Sequence, residues 1–236
     1  MIRKALITSK MGPKSIRWRQ HSSTRIESFT DSVFAFAVTL IVVSLQVPET
    51  FKELMLSMRG FIGFAICFLI MMLVWFDQYI FFRKYGLQDV KTIFLNSFLL
   101  FVVLIYVYPL KFIFSFLTQG NENIHMDGHV TFKFSENYEV NQLMILYGIG
   151  FFVIYGIFLL LHYHALCKKE ELQLNKLEVF NTWTAMFGNL TMMSIGFLSV
   201  LFAWMGMFLE GIWSILSGLS YSLIGIFLHL IYKWRE

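Results

Sequence analysis

Apolar stretches long enough to cross a membrane recur along this sequence, and they constrain its fold more than any other feature. A helix needs ~20 apolar residues to cross ~30 Å of hydrocarbon. Because 57% of the 236 residues are hydrophobic and only 14% are charged, too few polar side chains remain to cover a soluble core. We therefore predict an all-α integral membrane protein without a separate soluble domain.

The apolar stretches divide the chain into six predicted transmembrane helices. We expect them over residues 25–46, 61–82, 90–117, 140–166, 177–205 and 211–232, the second one opening near residue 50. Thr24 and Glu27 have the spacing of a capping box, in which two side chains satisfy backbone donors at a helix start, and Thr50 and Glu53 repeat it. Residues 1–23 are basic and lack the apolar core of a signal peptide, so we expect a cytoplasmic tail there. Residues 24–236 form the predicted six-helix membrane domain.

The distribution of basic residues predicts the orientation in the membrane. Lys and Arg near helix ends are retained in the cytoplasm. In the six-helix arrangement, 15 of the 19 Lys and Arg residues fall on the side of the two termini and of the second and fourth connections. Both termini are therefore expected in the cytoplasm, and the net charge of +4 is a topology signal that requires no nucleic-acid partner.

The first predicted helix carries charged groups that a lipid-facing helix would not tolerate. Asp31 lies more than a turn inside it, where an unpaired carboxylate costs up to ~3 kcal/mol in the membrane. Arg25 and Asp31 are separated by about 240° around a helix, so they cannot pair with each other. Each must therefore reach another element.

A seam with alternating steps of four and three residues runs along the same helix, which is the spacing of a coiled-coil contact. Its members are Arg25, Phe29, Ser32, Phe36, Thr39, Val43 and Gln46. Several copies of this helix around an axis would give a narrow path with hydroxyl rings at Ser32 and Thr39 and apolar rings at Phe36 and Val43. The same pattern is also typical of buried helices whose Ser and Thr side chains bond across an interface. Periodicity alone leaves both interpretations open.

The residues from Arg25-x-x-x-Phe29-Thr30-Asp31 into Ser32-Val33-Phe34-Ala35-Phe36-Ala37-Val38-Thr39-Leu40 resemble the first-helix signature of the transmembrane protein 175 family. That family comprises potassium-permeable channels of bacteria and lysosomes. The signature is Arg-x-x-x-Phe-Ser-Asp running into an apolar helix. The helix count resembles the bacterial form over the whole chain.

The resemblance implies a homotetrameric, potassium-selective cation channel in the cell membrane, with modest selectivity over sodium and helix 1 lining the pore. It implies a hydrophobic constriction in place of a carbonyl filter, and no cofactor or metal beyond the permeant K⁺. The implied pore-lining residues are Ser32, Phe36, Thr39, Leu40 and Val43. The implied network at the cytoplasmic end of helix 1 comprises Arg25, Phe29, Thr30 and Asp31. We add Asp77 as a candidate partner of Arg25, with a solvated carboxylate at the helix end as the alternative.

Two departures from the family pattern affect these expectations. Thr30 replaces the usual Ser and keeps its hydroxyl. Phe36 stands where Ile or Leu is common, so its ring either narrows the constriction or turns against a neighbouring helix.

A transporter and an intramembrane enzyme are the two functional alternatives to a channel. A secondary ion transporter or exchanger usually has internal repeats and helices broken by Gly or Pro at matching depths, and here Pro109 alone interrupts a predicted span. An intramembrane enzyme needs convergent acid, base or nucleophilic groups at membrane depth, and the sequence offers no such constellation. We therefore expect no enzymatic activity, and the transporter remains the alternative.

Overall fold

The structure is a computed structural model that describes residues 17–19, 22–43, 50–119, 137–209 and 212–225. Regular structure in this part of the chain is entirely helical. The helices are α1 (Arg25–Val43), α2 (Phe51–Tyr85), α3 (Val90–Gln119), α4 (Asn137–Cys167), α5 (Lys176–Gly206) and α6 (Ile212–Leu219), which continues into a 3₁₀ turn at Ser220–Ser222. The predicted all-α fold with six helices is confirmed. Residues 1–16 of the predicted tail and the predicted helix ends at 46 and 232 lie outside the described residues.

In the described part of the chain, four helices are long and apolar enough to cross a membrane. These stretches are Gly63–Tyr85 in α2, Val90–Leu110 in α3, Glu139–Cys167 in α4 and Lys176–Gly206 in α5. Pro109 lies inside α3, near the end of its apolar stretch. A proline is tolerated at such a place because neighbouring helices can compensate for the backbone donor that it lacks.

One apolar core joins the first four helices. Three of its largest fully buried side chains, Tyr85, Phe81 and Phe82, come from the last turns of α2, and buried apolar residues of α3 and α4 complete it. Phe34 and Ala37 bring one side of α1 into the same core. Helix α1 therefore contacts α3 and α2 along a single face.

Helices α4 and α5 approach each other closely at two glycines. A Cβ atom at Gly196 of α5 would lie 3.1 Å from the backbone N of Phe152 and 3.2 Å from the carbonyl O of Gly148 in α4. Small residues allow such backbone contact in membrane helix pairs. Any side chain at these glycines would push the two helices apart.

We call the end of the bundle that carries the α2–α3 and α4–α5 connections the basic end, because Arg83, Lys84, Lys168 and Lys169 lie there. His164 at the end of α4 contacts Asp89 of the α2–α3 connection, with 2.7 Å between His164 Nε2 and Asp89 Oδ2. Helix α1 also begins at this end, as the contacts of residues 17–19 with α2 and α5 indicate.

Candidate functional site

The capping box predicted at the start of α1 is present. Thr24 donates its backbone N–H to Glu27 Oε2 at 2.7 Å, and Glu27 donates its own to Thr24 Oγ1 at 3.3 Å. A capping box satisfies two otherwise unpaired donors of a helix end. The chain is therefore fixed at the residue where α1 begins. The second predicted box cannot be compared, because the side chain of Glu53 lies outside the described residues.

Helix α1 has two contrasting faces. One consists of Glu27, Thr30, Phe34 and Ala37, all buried against α2 and α3. The five described members of the predicted seam form the other face, and all of them are exposed in the single chain. Phe29 and Phe36 are 60% and 57% exposed. The seam therefore does not pack inside this chain.

The remaining predicted pore residues are less exposed or not described. Leu40 is half-buried, at the edge of the exposed face. The side chain of Val43 lies outside the described residues, as does Gln46. The predicted apolar constriction is thus represented in the described structure by Phe36.

The two hydroxyls of the seam bond to the backbone of their own helix. Ser32 donates from Oγ to the carbonyl O of Ser28 at 2.9 Å, and Thr39 donates from Oγ1 to that of Phe36 at 2.7 Å. A hydroxyl whose hydrogen is used in this way keeps two lone pairs as acceptors. The exposed face therefore presents oxygen acceptors, which are the ligands of alkali cations.

A chain of buried hydrogen bonds holds α1 to its neighbours through the signature residue Thr30. Asn96 of α3 donates from Nδ2 to Thr30 Oγ1 at 2.8 Å and accepts from Gln78 Nε2 of α2 at 3.0 Å. All three side chains are buried. These hydrogen bonds depend on the hydroxyl of Thr30, and the Ser that usually stands at this position in the family signature also has a hydroxyl.

Asp31 has the partner that its position in the helix requires. Trp75 of α2 donates its indole Nε1–H to Asp31 Oδ1 at 2.7 Å. The expectation that Asp31 reaches another element is therefore met by a neutral donor.

Arg25 and Asp77 are not brought together within this chain. Both side chains are exposed, and no ion pair joins them among the described residues. Trp75 faces α1, and Asp77, two residues later, lies about 200° away around α2. It therefore lies on a side of α2 turned away from the α1 of its own chain.

A buried carboxylate that sequence reasoning missed lies at the basic end. Glu178 of α5 is fully buried and closes a capping box with Asn175. It also binds the residues before α1, Arg17 to Arg19, which we call the N-terminal strap. Arg19 places its Nη1 3.2 Å from Glu178 Oε1 and its Nη2 2.9 Å from Glu178 Oε2. The strap is thus part of the folded bundle.

The capping box was the available signal for Glu178, because Asn175-x-x-Glu178 has the same spacing as Thr24-x-x-Glu27. The arginines that bind it lie more than 150 positions away in the sequence. Their charge predicted orientation only, since local patterns say nothing about a contact over that separation.

Known proteins are similar to this chain both in the region that contains α1 and over the whole fold. The profile of the family described as endosomal/lysosomal potassium channel TMEM175 matches residues 25–109, which include α1 and its contacts on α2 and α3. A Marivirga tractuosa protein named potassium channel is 44% identical over 187 residues, covering 78% of this chain and 76% of that protein. A Streptomyces collinus protein, also named as a potassium channel, is 26% identical over 105 residues, covering 42% of this chain and 51% of that protein.

A solved structure extends the similarity to nearly the full chain. The crystal structure of the potassium channel MtTMEM175, a variant in complex with a nanobody-MBP fusion protein, superposes with a TM-score of 0.79 at 38% sequence identity. The match covers 94% of this chain and 99% of that one. The predicted family resemblance is confirmed, and this chain belongs to the TMEM175 family.

Proposed function

We propose that this chain forms a potassium channel in which α1 of several copies lines the path of the ion. The observation that carries the proposal is the uncovered face of α1, with Phe29, Ser32, Phe36 and Thr39 exposed on a helix whose opposite face is buried. Exposed aromatic rings alternate there with cation-binding oxygens, which suits neither lipid nor a dry core. The names of the relatives support potassium as the permeant ion.

The proposed assembly is a homotetramer in the cell membrane. Four copies would bring the exposed faces of α1 around one axis, so that each face is covered by its equivalents, as closed symmetry requires. The basic end faces the cytoplasm in this proposal, together with both termini, because basic residues near helix ends stay on that side. Residues 24–236 then form the channel domain and residues 1–23 its cytoplasmic tail.

The constriction in this proposal is a ring of Phe36 side chains, extended by Leu40 and Val43. A narrow apolar ring expels water and blocks ions, and it conducts when the helices tilt or rotate apart. No cofactor and no bound metal other than the permeant K⁺ takes part. Thr30 and Asp31 hold the cytoplasmic end of α1 on its own subunit, and Arg25, Phe29 and Asp77 remain candidate members of that network.

Selectivity over sodium is proposed to be modest and to depend on Thr39. A cation that has lost part of its hydration shell in the apolar ring can bind the Thr39 oxygen, whose hydrogen is held by the backbone of its own helix. K⁺ gives up water more readily than Na⁺, so the oxygen replaces the lost water more completely for K⁺.

The test uses purified protein in KCl-loaded liposomes, with a proton ionophore for charge balance, and repeats the flux with Na⁺. We expect strong flux with K⁺ and weak flux with Na⁺. Thr39→Val keeps the shape and removes the oxygen, and should lower the K⁺/Na⁺ permeability ratio about threefold, equivalent to ~0.6 kcal/mol.

Thr191→Val is the matched control, because Thr191 of α5 makes the same bond to its own helix, from Oγ1 to the Phe187 carbonyl at 2.8 Å. It should leave the ratio unchanged. Equal ratios in the wild type and the Thr39→Val protein would contradict the role of Thr39. Absence of K⁺ flux, also in single-channel recordings across voltage and pH, would contradict the channel.

A further inference from the structure

The buried charge of Glu178 depends on the N-terminal strap. Its side chain has no exposed surface, and both of its oxygens accept hydrogen bonds. Donors from the strap are the backbone N–H of Arg17, at 2.9 Å from Oε1, the Arg17 guanidinium, at 3.5 Å from Oε2, and the guanidinium of Arg19. The backbone N–H of Asn175 adds a bond of 2.9 Å to Oε2. Removing the partner of a buried charge is strongly unfavourable, so the strap and Glu178 stay together.

Arg19 connects three separate parts of the basic end. Its Nε donates to the carbonyl O of Leu172 in the α4–α5 connection at 3.1 Å, and its Nη1 to that of Lys84 in the last turn of α2 at 3.1 Å. The backbone N–H of Arg19 donates to the Arg83 carbonyl at 3.1 Å. Through its guanidinium and its backbone N–H, Arg19 therefore bonds to two carbonyls in the last turn of α2, where carbonyls lack partners within the helix.

The strap leads directly into α1. Arg19 precedes Thr24, the capping residue of α1, by five positions, and the capping box fixes the chain there. A fixed point at Arg19 thus limits how far the first turn of α1 can move from α2 and α5 of its own chain.

We propose that Glu178 is a positioning residue for the conduction helix, acting through Arg19 to hold the first turn of α1 against the body of its own subunit. This inference rests on the proposed function, in which α1 lines the path. Nothing about Glu178 places it on the path itself, since it is buried at the start of α5.

The anchor opposes closure. Phe29 and Phe36 are more than half exposed on the free face of α1, and apolar rings gain free energy when they cover each other. Helices released from their anchors would therefore move towards the axis and narrow the constriction. The strap keeps them apart and favours the conducting arrangement.

The first experiment compares single-channel currents of the wild type, Glu178→Gln and Arg19→Lys in planar bilayers. Glu178→Gln removes the charge at nearly constant shape, and Arg19→Lys keeps the charge but loses the planar fork. Both should reduce the ratio of open to closed time about fivefold or more, as a coupling between two sites typically does. Single-channel conductance and the K⁺/Na⁺ ratio should stay unchanged, because the path itself is intact.

Glu171→Gln is the matched control, because Glu171 lies in the α4–α5 connection, seven positions before Glu178, and pairs with Lys168 on the surface. It should leave the open time unchanged. An unchanged open time in both anchor variants, or an equal reduction in Glu171→Gln, would overturn the proposal.

The second experiment follows the strap without using conduction. A nitroxide label is placed by Trp18→Cys in a Cys167→Ser background, since Cys167 is exposed and Cys67 is buried. Glu178→Gln should convert an immobile spectrum into a mobile one. An unchanged spectrum would contradict the claim that Glu178 immobilises the strap. A label that is immobile and becomes mobile in Glu178→Gln, in a protein that carries no current, would confirm the contact but refute the channel, and with it the positioning role.

Discussion

Single polar residues decide how α1 is attached, because each of them needs a partner away from water. Asn96 needs two partners, because its buried amide both donates to Thr30 and accepts from Gln78 between three helices. Asp31 accepts a hydrogen bond from the indole of Trp75 and remains exposed. The strongest polar attachment of α1 is therefore the Thr30–Asn96–Gln78 chain.

Asn96→Ala should destabilise the bundle, because it leaves Thr30 and Gln78 without their hydrogen bonds in a buried place. We expect a loss of ~1–3 kcal/mol, reduced if water enters the gap. The measurement is unfolding of the purified protein in mixed micelles. Ser97→Ala, at the exposed neighbouring position, is the control and should change stability little. Equal stability of the wild type and the Asn96→Ala protein would show that the Thr30–Asn96–Gln78 hydrogen bonds do not stabilise the bundle.

The ionisation of Asp89 makes the stability of the folded protein depend on pH. Partial burial raises the pKa of Asp89, but hydrogen bonds from Thr92 and His164 lower it more, so it lies below its ordinary value of 3.8. A carboxylate with a lowered folded pKa stabilises the protein above its unfolded pKa, and this contribution disappears as pH falls through the folded value. Asp89→Asn should therefore be less stable than the wild type at pH 5 to 6, with the difference shrinking below about pH 4. A difference that stays constant down to pH 3 in thermal unfolding would contradict this.

At the scale of elements, α1 and the α4–α5 pair differ in how closely they pack against their neighbours. Helix α1 keeps one face free and is held to its own subunit by the strap before it and by the Thr30–Asn96–Gln78 hydrogen bonds. Helices α4 and α5 pack backbone to backbone at glycines, which leaves no space for movement between them. The pair is thus closely packed, and the strap that precedes α1 binds to it at Glu178.

Gly196→Ala should destabilise the α4–α5 pair by ~1–3 kcal/mol, because the added Cβ meets backbone atoms of α4 at 3.1–3.2 Å. Gly188→Ala is its matched control on the same helix, where a Cβ has no neighbour within 4 Å. That change should be neutral or stabilise by up to ~1 kcal/mol, since alanine favours helix over glycine. Thermal unfolding of the two variants measures the difference, and a similar shift in both would disprove the close contact.

At the scale of the whole molecule, one chain supplies only part of the conduction path that we propose. One copy supplies one exposed face of α1, and a path needs several such faces around an axis. The core of the subunit lies on the other side of α1, between α2, α3 and α4. Assembly would therefore cover the free face without disturbing the core.

Assembly should give a particle with about four times the mass of the 27.7 kDa chain in light scattering of the detergent-solubilised protein. A short bis-maleimide should cross-link Phe36→Cys between copies in a Cys167→Ser background. Phe187→Cys, at a similarly exposed ring position of α5, is the control and should not cross-link. A monomeric mass, or equal cross-linking of both variants, would refute an assembly around α1.

Much of the fold could be predicted because its signals are local. Apolar length gave the helices, and the Thr24–Glu27 spacing gave the start of α1, which the structure places at Arg25. The seam from Arg25 to Thr39 was recognised as a special face, but its periodicity suited a pore and a packed interface equally well. The link from Arg19 to Glu178 could not be predicted, because nothing near either residue in the sequence points to the other.

The sequence by itself determined the membrane class, the six helices, the start of α1 and the family, since each follows from residues close together in the chain. Only the tertiary structure decided that the seam faces away from its own subunit, that Asp31 pairs with Trp75, and that the strap belongs to the folded bundle. The physical reason is that a polar group in an apolar surrounding must find a partner, while the identity of that partner depends on which helices come together.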